Sequence, residues 1–412
     1  MTLEHNVSEI AMDSSIPDEE KRHRIIEILS GLPERGVPAA IGHLMETRDG
    51  RVAEYVARYL QLIPDAREEK TRAAEHLRES GDLIHAAARL VPWLPESLLG
   101  QLVSDYADDP QPGSPLSNVL FSIAAYHPDL VRPIADRISS KLIRRSLLSG
   151  APDELADALL ARWHEGDEWN DLEAVARIRT RRAIDAIHSV RDELEDRLDW
   201  ETLIALAGQL PDSDRSAGYH PSFMGFVTSA KVSPHTMGGA FPGPVPICID
   251  CHAPAERVLT LSADELPMEL SCDPSFLWYS CKCYALETVT VKIQEDGRLE
   301  KTFYGPQEVL ESSAKPNHML IPGLQSLTLE RHPNQTGESL RAYAGWSRHQ
   351  VGGLPSWIDP EPHPYCPECR KAMPFLTSLD SGPTPFGAMG FDGKLFGFWC
   401  DHCRISVTQQ QE

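Results

Sequence analysis

Cys366-Pro-Glu-Cys369 and Cys400-Asp-His-Cys403, with 30 residues between them, decide how the second half of this chain is read. Two close cysteine pairs joined by a loop supply what a tetrahedral ion requires. Each pair turns tightly enough to aim two sulfurs at one point, and the loop brings the second pair from the opposite side. The arrangement also occurs earlier, as Cys248-Ile-Asp-Cys251, 29 intervening residues, and Cys281-Lys-Cys283. Cys-x-Cys is the tighter and less usual turn, and His252 is an alternative ligand there. Cys272 is left over. A thioredoxin-like redox motif needs no second pair, and a reducing compartment disfavours disulfides. The expectation is therefore two Zn2+ sites, one on Cys248, Cys251, Cys281 and Cys283, the other on Cys366, Cys369, Cys400 and Cys403. Mononuclear iron is the lesser alternative. Four thiolates leave zinc no open position, so both sites are expected to be structural and not catalytic.

The two groups sit inside a longer internal repeat. His235-Thr-Met-Gly238-Gly239 precedes the first and His349-Gln-Val-Gly352-Gly353 the second. Each Cys-x-x-Cys is followed by a proline (Pro254, Pro374), an apolar run, an acid (Asp264, Asp380) and an aromatic strand entering the second pair. The offsets between equivalent landmarks are 114, 118 and 119 residues. Such constancy predicts a duplication, with two related β-rich lobes about a pseudo-two-fold axis. The Gly-Gly steps read as turns with positive φ, and they lack the lysine and following helix of a phosphate-binding loop. His235 and His349, equivalent in the repeat, read as polar anchors rather than a duplicated active site. Trp357 and Trp399 read as core.

Outward from this region the composition changes. Residues 1–215 contain no cysteine and carry 25 Lys+Arg against 40 Asp+Glu. Apolar residues recur there at steps of three and four, as in Val37, Ile41, Leu44 and, after Asp49-Gly50, Val52, Val56, Tyr59, Ile63. That spacing keeps one stripe on one face of a helix. Two short helices joined by Asp-Gly resemble a HEAT-type repeat, and further helices are expected over Asp153–Trp163 and over Leu172–Leu198. A helix pair cannot bury its stripe alone, so stacked pairs forming a solenoid are expected; an irregular bundle is the rival. The fold class is α+β: a HEAT-like helical domain at 1–215, then a duplicated β-rich zinc domain at 216–412 with lobes of about 216–330 and 331–412. Pro211–Ser216 is the expected linker.

The whole chain carries Lys+Arg 39 against Asp+Glu 61, a formal charge of −22. That repels a phosphate backbone and argues against nucleic acid. No stretch reaches the roughly 18 apolar residues of a membrane span, and the first residues show no secretory signal, so a cytoplasmic protein is expected. Arg177, Arg179, Arg181 and Arg182 form a basic cluster whose plain reading is an ion-paired face with Glu173, Asp185 and Asp192. Acidic clusters at Asp18–Glu20, Glu165–Glu168 and Asp192–Asp196 would steer a basic partner, or merely keep the surface soluble. No His-Glu-x-x-His, Gly-x-Ser-x-Gly or kinase-like signature occurs, and no catalytic or cofactor-binding residue is singled out.

The segment from His349 to Gln409, with Val-Gly-Gly-Leu-Pro-Ser-Trp-Ile, Cys-Pro-Glu-Cys, Met-Pro-Phe-Leu-Thr-Ser-Leu-Asp-Ser and Leu-Phe-Gly-Phe-Trp-Cys-Asp-His-Cys, resembles the bacterial YwqG-like family. It looks still more like the zinc-bearing segment of eukaryotic programmed-cell-death-two proteins. The resemblance covers about 60 residues closely and about 195 loosely through the repeat. It implies a pseudo-symmetric β domain with no established enzymatic site, found in chaperones for a ribosomal protein and among bacterial toxin-immunity proteins. The expected function is non-enzymatic capture of one protein, a basic client or a toxin. The alternative is an enzyme with a pocket between the two lobes.

Overall fold

Asp49 starts the best-patterned helix of the chain. Its carboxylate accepts from the backbone N–H of Arg51 (2.9 Å) and Val52 (3.4 Å), satisfying donors that the first turn cannot. The helix it caps, Gly50–Gln61, buries Val52, Val56, Tyr59 and Leu60. Helix Gly36–Glu46 packs beside it. The helix–turn–helix anticipated around Asp49-Gly50 is thus present.

The computed structural model describes residues 3–32, 34–166, 168–194, 197–210, 219–242, 245–248, 250–279, 281, 283, 288–303, 320–334, 349–358 and 363–412. The expected linker, and Asp167, Glu195 and Asp196 of the acidic clusters, lie outside them. Helices occupy the chain up to Leu206 and strands follow from Phe223. Among the described residues, no helix is long and apolar enough to cross a membrane.

The other helices do not copy the first pair. Gly81–Arg89 is a 3-10 helix whose small side chains, Ala86, Ala87 and Ala88, let it lie against helices Gly50–Gln61, Arg67–Glu79 and Pro115–Tyr126. The stretch expected to be helical over 172–198 is broken: Trp169–Ile178 stops at Arg179, which is left-handed at φ 62°, and Thr180 caps Arg181–Ser189. The helical side chains form two cores, one from Val7 to Leu147 and one from Ala151 to Ala207.

Among the described residues the second half is one sheet of eleven strands: β1 (Phe223–Ser229), β2 (Thr236–Met237), β3 (Ala255–Thr260), β4 (Ser275–Tyr279), β5 (Thr288–Ile293), β6 (Leu299–Phe303), β7 (Gln325–Arg331), β8 (His349–Val351), β9 (Phe375–Asp380), β10 (Lys394–Cys400) and β11 (Ile405–Gln411). Their order is β4-β3-β2-β7-β1-β8-β9-β10-β11-β5-β6, and every pairing is antiparallel. β1 and β7 pair along their full lengths, Phe223 opposite Arg331 and Ser229 opposite Gln325. Outward from them run β2-β3-β4 on one side and β8-β9-β10 on the other, the strands of the two sequence repeats in matching order. β5 breaks the match, because it pairs with β11 of the second repeat. All five residues of β4 are buried, although it ends the strand order, because β4 packs against β11 as the sheet curls.

The sheet is seated on the helices. Met224 and Phe226 of β1 belong to the first helical core, with Phe226 5.8 Å from Trp93 between ring centroids. His332 stacks on Tyr126 at 4.7 Å, and Asn334 donates from Nδ2 to the Ala125 carbonyl at 3.0 Å.

Candidate metal centres

Each Cys-x-x-Cys is a small hairpin, and the two are built alike. Cys248 N donates to the Ala253 carbonyl and Cys366 N to the Lys371 carbonyl, both at 2.9 Å. His252 N returns to Cys248 O at 3.0 Å and Arg370 N to Cys366 O at 2.9 Å. His252 and Arg370 take positive φ, 59° and 61°, which folds the chain back sharply after the second cysteine. Isolated bridges, Ile247 to Pro254 and Tyr365 to Ala372, close both hairpins. The constant offset read in the sequence is therefore a repeat of hydrogen bonds.

The eight cysteines come together as two groups. Cys248, Cys251, Cys281 and Cys283 have all their sulfurs within 4.8 Å of one another, and so do Cys366, Cys369, Cys400 and Cys403. His252, the alternative ligand, belongs to neither group. Cys369 Sγ and Cys400 Sγ are 3.7 Å apart. A tetrahedron with metal–sulfur bonds of about 2.3 Å has edges of roughly 3.8 Å, whereas a disulfide is about 2.05 Å. Among the described residues no two cysteines are joined by a disulfide. The donor set and spacing fit a four-coordinate soft-ligand ion at each position.

The electrostatics point the same way. Burial pushes the Cys369 thiol up, but the Lys371 N–H and hydrogen bonds from Cys366, Cys400 and Cys403 outweigh it, leaving Cys369 below its usual range. Burial and the neighbouring sulfurs push Cys400 well up, and Cys403 to about 11. In the first group, Cys251 is likewise lowered, with the Ala253 N–H and its neighbours overcoming burial. Cys281 is raised by burial, and Cys283 chiefly by its hydrogen bond with Cys251. In each group the second cysteine of the hairpin is thus pulled toward the thiolate, while the two cysteines of the opposite pair resist losing their protons. A divalent cation removes that conflict by displacing the protons.

The surroundings differ. The second group has its own aromatic core of Phe375, Phe396 and Phe398, onto which Trp357 stacks 5.6 Å from Phe398. His363 is wedged there: its Nδ1–H donates to the Met373 carbonyl at 3.2 Å, and its Nε2 accepts from the Tyr219 hydroxyl at 2.5 Å. Burial lowers its pKa to about 4, so it stays neutral. Cys248 and Cys281 instead lie in the main sheet core with Trp278, Tyr279 and Trp399. Trp399 is 2% exposed.

Other residues singled out by sequence have structural roles. His235 and His349 are buried, and each accepts a backbone N–H at Nδ1, from Ser262 (3.1 Å) and Asp380 (3.3 Å). Gly238, Gly239, Gly352 and Gly353 all have positive φ. Of the arginine cluster, Arg177 is buried beside Glu173 (3.4 Å), Arg179 donates to the Leu206 carbonyl (2.7 Å) and Arg182 pairs with Asp157 (2.9 Å). Sequence reasoning missed Asp401, within the last cysteine pair, whose Oδ1 accepts from Ser271 N at 2.7 Å and Trp399 Nε1 at 3.0 Å. It also missed Lys70, fully buried with its ammonium 3.4 Å from the centre of the Trp93 ring.

No family model matches the chain, and no solved structure matches it. One curated protein, "Uncharacterized protein YpfL" of Salmonella typhimurium (strain LT2), is 33% identical over 63 residues. That match spans 15% of this chain and 15% of the length of that relative. Among the described residues, the structure is a helical half joined to an eleven-stranded antiparallel sheet that carries two four-cysteine groups able to hold metal.

Proposed function

We propose that this chain is a non-enzymatic, zinc-stabilised protein-binding protein: a HEAT-like helical part joined to a duplicated zinc domain of the YwqG-like and programmed-cell-death-two kind. The observation that carries the proposal is the closed donor set. In each group four sulfurs within 4.8 Å fill all the positions of a tetrahedral ion. When bound, zinc would act as a cross-link between distant segments, held by Cys248, Cys251, Cys281 and Cys283 and by Cys366, Cys369, Cys400 and Cys403. The chain's own residues prepare those places through the hairpins, the Ala253 and Lys371 N–H groups and the packed aromatics. A charge of −22 supports a basic partner, either a client to be shielded or a toxin whose working surface is covered.

The test has two readings on the same purified chain. Metal analysis should return two zinc ions per chain. A tagged chain passed through lysate of its source at low salt should retain one protein near one-to-one, and release it at high salt. Retention of no stoichiometric partner at either salt defeats the capture reading. An open, solvent-exchanging coordination position at either ion defeats the structural reading of the metal.

A further inference from the structure

We infer that the Cys400–Cys403 turn is also a latch, through which the metal state of the second site controls closure of the first repeat onto the second. This rests on the metal reading above. Three observations meet at one place. Asp401 lies between two cysteines of the second group, so any ion held there fixes the turn that carries it. Its carboxylate reaches into the first repeat: Oδ1 accepts from Ser271 N at 2.7 Å and from Ser271 Oγ at 3.0 Å, and the Asp401 carbonyl lies 3.1 Å from the same hydroxyl. Trp399 Nε1 donates to Oδ1 at 3.0 Å and so orients the carboxylate from within its own repeat.

The contact sits where the sheet folds over itself. β4 begins four residues after Ser271 and packs on β11 without pairing with it. Phe276 of β4 lies so close to Gly397 of β10 that a Cβ there would be 2.7 Å from two of its ring carbons. Between latch and strand stands Cys272, buried in the main core and outside both cysteine groups. The sequence of the first repeat has no acid at the matching place: its second pair is Cys281-Lys-Cys283, with lysine between the cysteines. The contact is asymmetric in construction, a turn of the second site reaching into the first repeat.

Asp401 is then a positioning residue, and Cys272 is a natural reporter of whether the latch is shut. The experiment treats the full metal-loaded chain with a water-soluble maleimide, maps labelled cysteines by peptide mass, and counts bound metal in the same samples. In the parent chain all nine thiols should react slowly. In Asp401→Ala, Cys272 should react at least roughly tenfold faster, the scale of one lost charge-assisted hydrogen bond, while the ligand cysteines stay protected and two ions remain. Loss of only the ion at Cys366, Cys369, Cys400 and Cys403 from this variant would show the same coupling from the other side. Asp401→Asn, which keeps an acceptor, should fall between the two and serves if the alanine variant does not fold. Asp401→Ala with two ions and Cys272 reacting at the parental rate overturns the latch and leaves the metal sites standing. A parent chain with no bound ion overturns the metal reading and the latch's dependence on it together.

Discussion

Cys369 and Cys400, separated by 30 residues in sequence, hold their sulfurs 3.7 Å apart without a bond between them. Four thiols at that density are poorly stable alone, since burial raises some while one is drawn toward the thiolate. Structural zinc contributes roughly 10–16 kcal/mol of apparent binding energy in small zinc domains near neutral pH, as large as a domain's stability. Replacing Cys366 or Cys400 by Ser should therefore remove one ion and unfold the C-terminal part of the sheet. Metal counting alongside near-ultraviolet circular dichroism checks this. A variant that loses the ion yet keeps its aromatic signal would refute it.

Gly352 makes a different demand. Its φ is +67°, and a Cβ there would lie 2.0 Å from the Pro221 carbonyl oxygen. Left-handed backbone costs an L-residue about 1–2 kcal/mol, and forced overpacking about 1–3 more. Gly352→Ala should thus destabilise by roughly 2–5 kcal/mol. Gly113→Ala, at φ +77° with nothing within 4 Å, should cost only the first part. Paired denaturant titrations compare them, and equal losses would show that the close approach does not matter.

His332 should make the joint between helices and sheet sensitive to acid. Burial lowers its pKa from 6.5 to about 4, aided by His127, and its Nδ1 accepts the Asn334 N–H at 3.1 Å. The folded state keeps this ring neutral where the unfolded chain would protonate it. Its contribution is complete above pH 6.5 and is lost as pH falls from 6.5 toward 4, on the order of 3 kcal/mol in all. His332→Phe retains a ring against Tyr126 but cannot titrate. The slope of unfolding free energy between pH 6.5 and 4.5 should be shallower for the variant, and identical slopes would discard the assignment.

Much of this arrangement was legible because particular residues have few alternatives. A tetrahedral ion constrains cysteine spacing so strongly that the spacing alone sorts eight cysteines into the two groups that the fold brings together. Asp49-Gly50 between two apolar stripes admitted few readings other than a capped helix turn. By contrast, β5 shows an ordinary alternating pattern that says nothing of its partner, so its place beside β11 was hidden. Arg179 ends a helix by adopting a left-handed φ without Gly or Pro to announce it. Ser271 and Asp401 are 130 residues apart, and neither belongs to a pattern that would pair them. Local stereochemistry and metal geometry write themselves into spacing, whereas contacts made by chain folding leave no periodic trace.

Glu330, near the end of β7, is such a contact and the most informative substitution at the seat of the sheet. Its carboxylate accepts from Trp93 Nε1 at 2.8 Å, faces Arg67 at 3.7 Å and accepts from Asp65 N at 3.4 Å. Beneath it lies Lys70, which burial lowers to about 7 and the charge of Glu330 helps keep protonated. Lys70 has few other supports, the Ile63 carbonyl at 2.6 Å and the face of Trp93. Glu330→Gln preserves shape and an acceptor for Trp93, but removes the charge that both cations see. The cost should be roughly 1–3 kcal/mol, because a buried ammonium loses its counter-charge while its other contacts persist. The variant should also lower the pH above which Lys70 is neutral, so that below about pH 7 it is penalised more than it is at pH 9. Unfolding followed by tryptophan fluorescence at those two pH values checks both statements, and a loss that is equal at the two would assign Glu330 to shape alone.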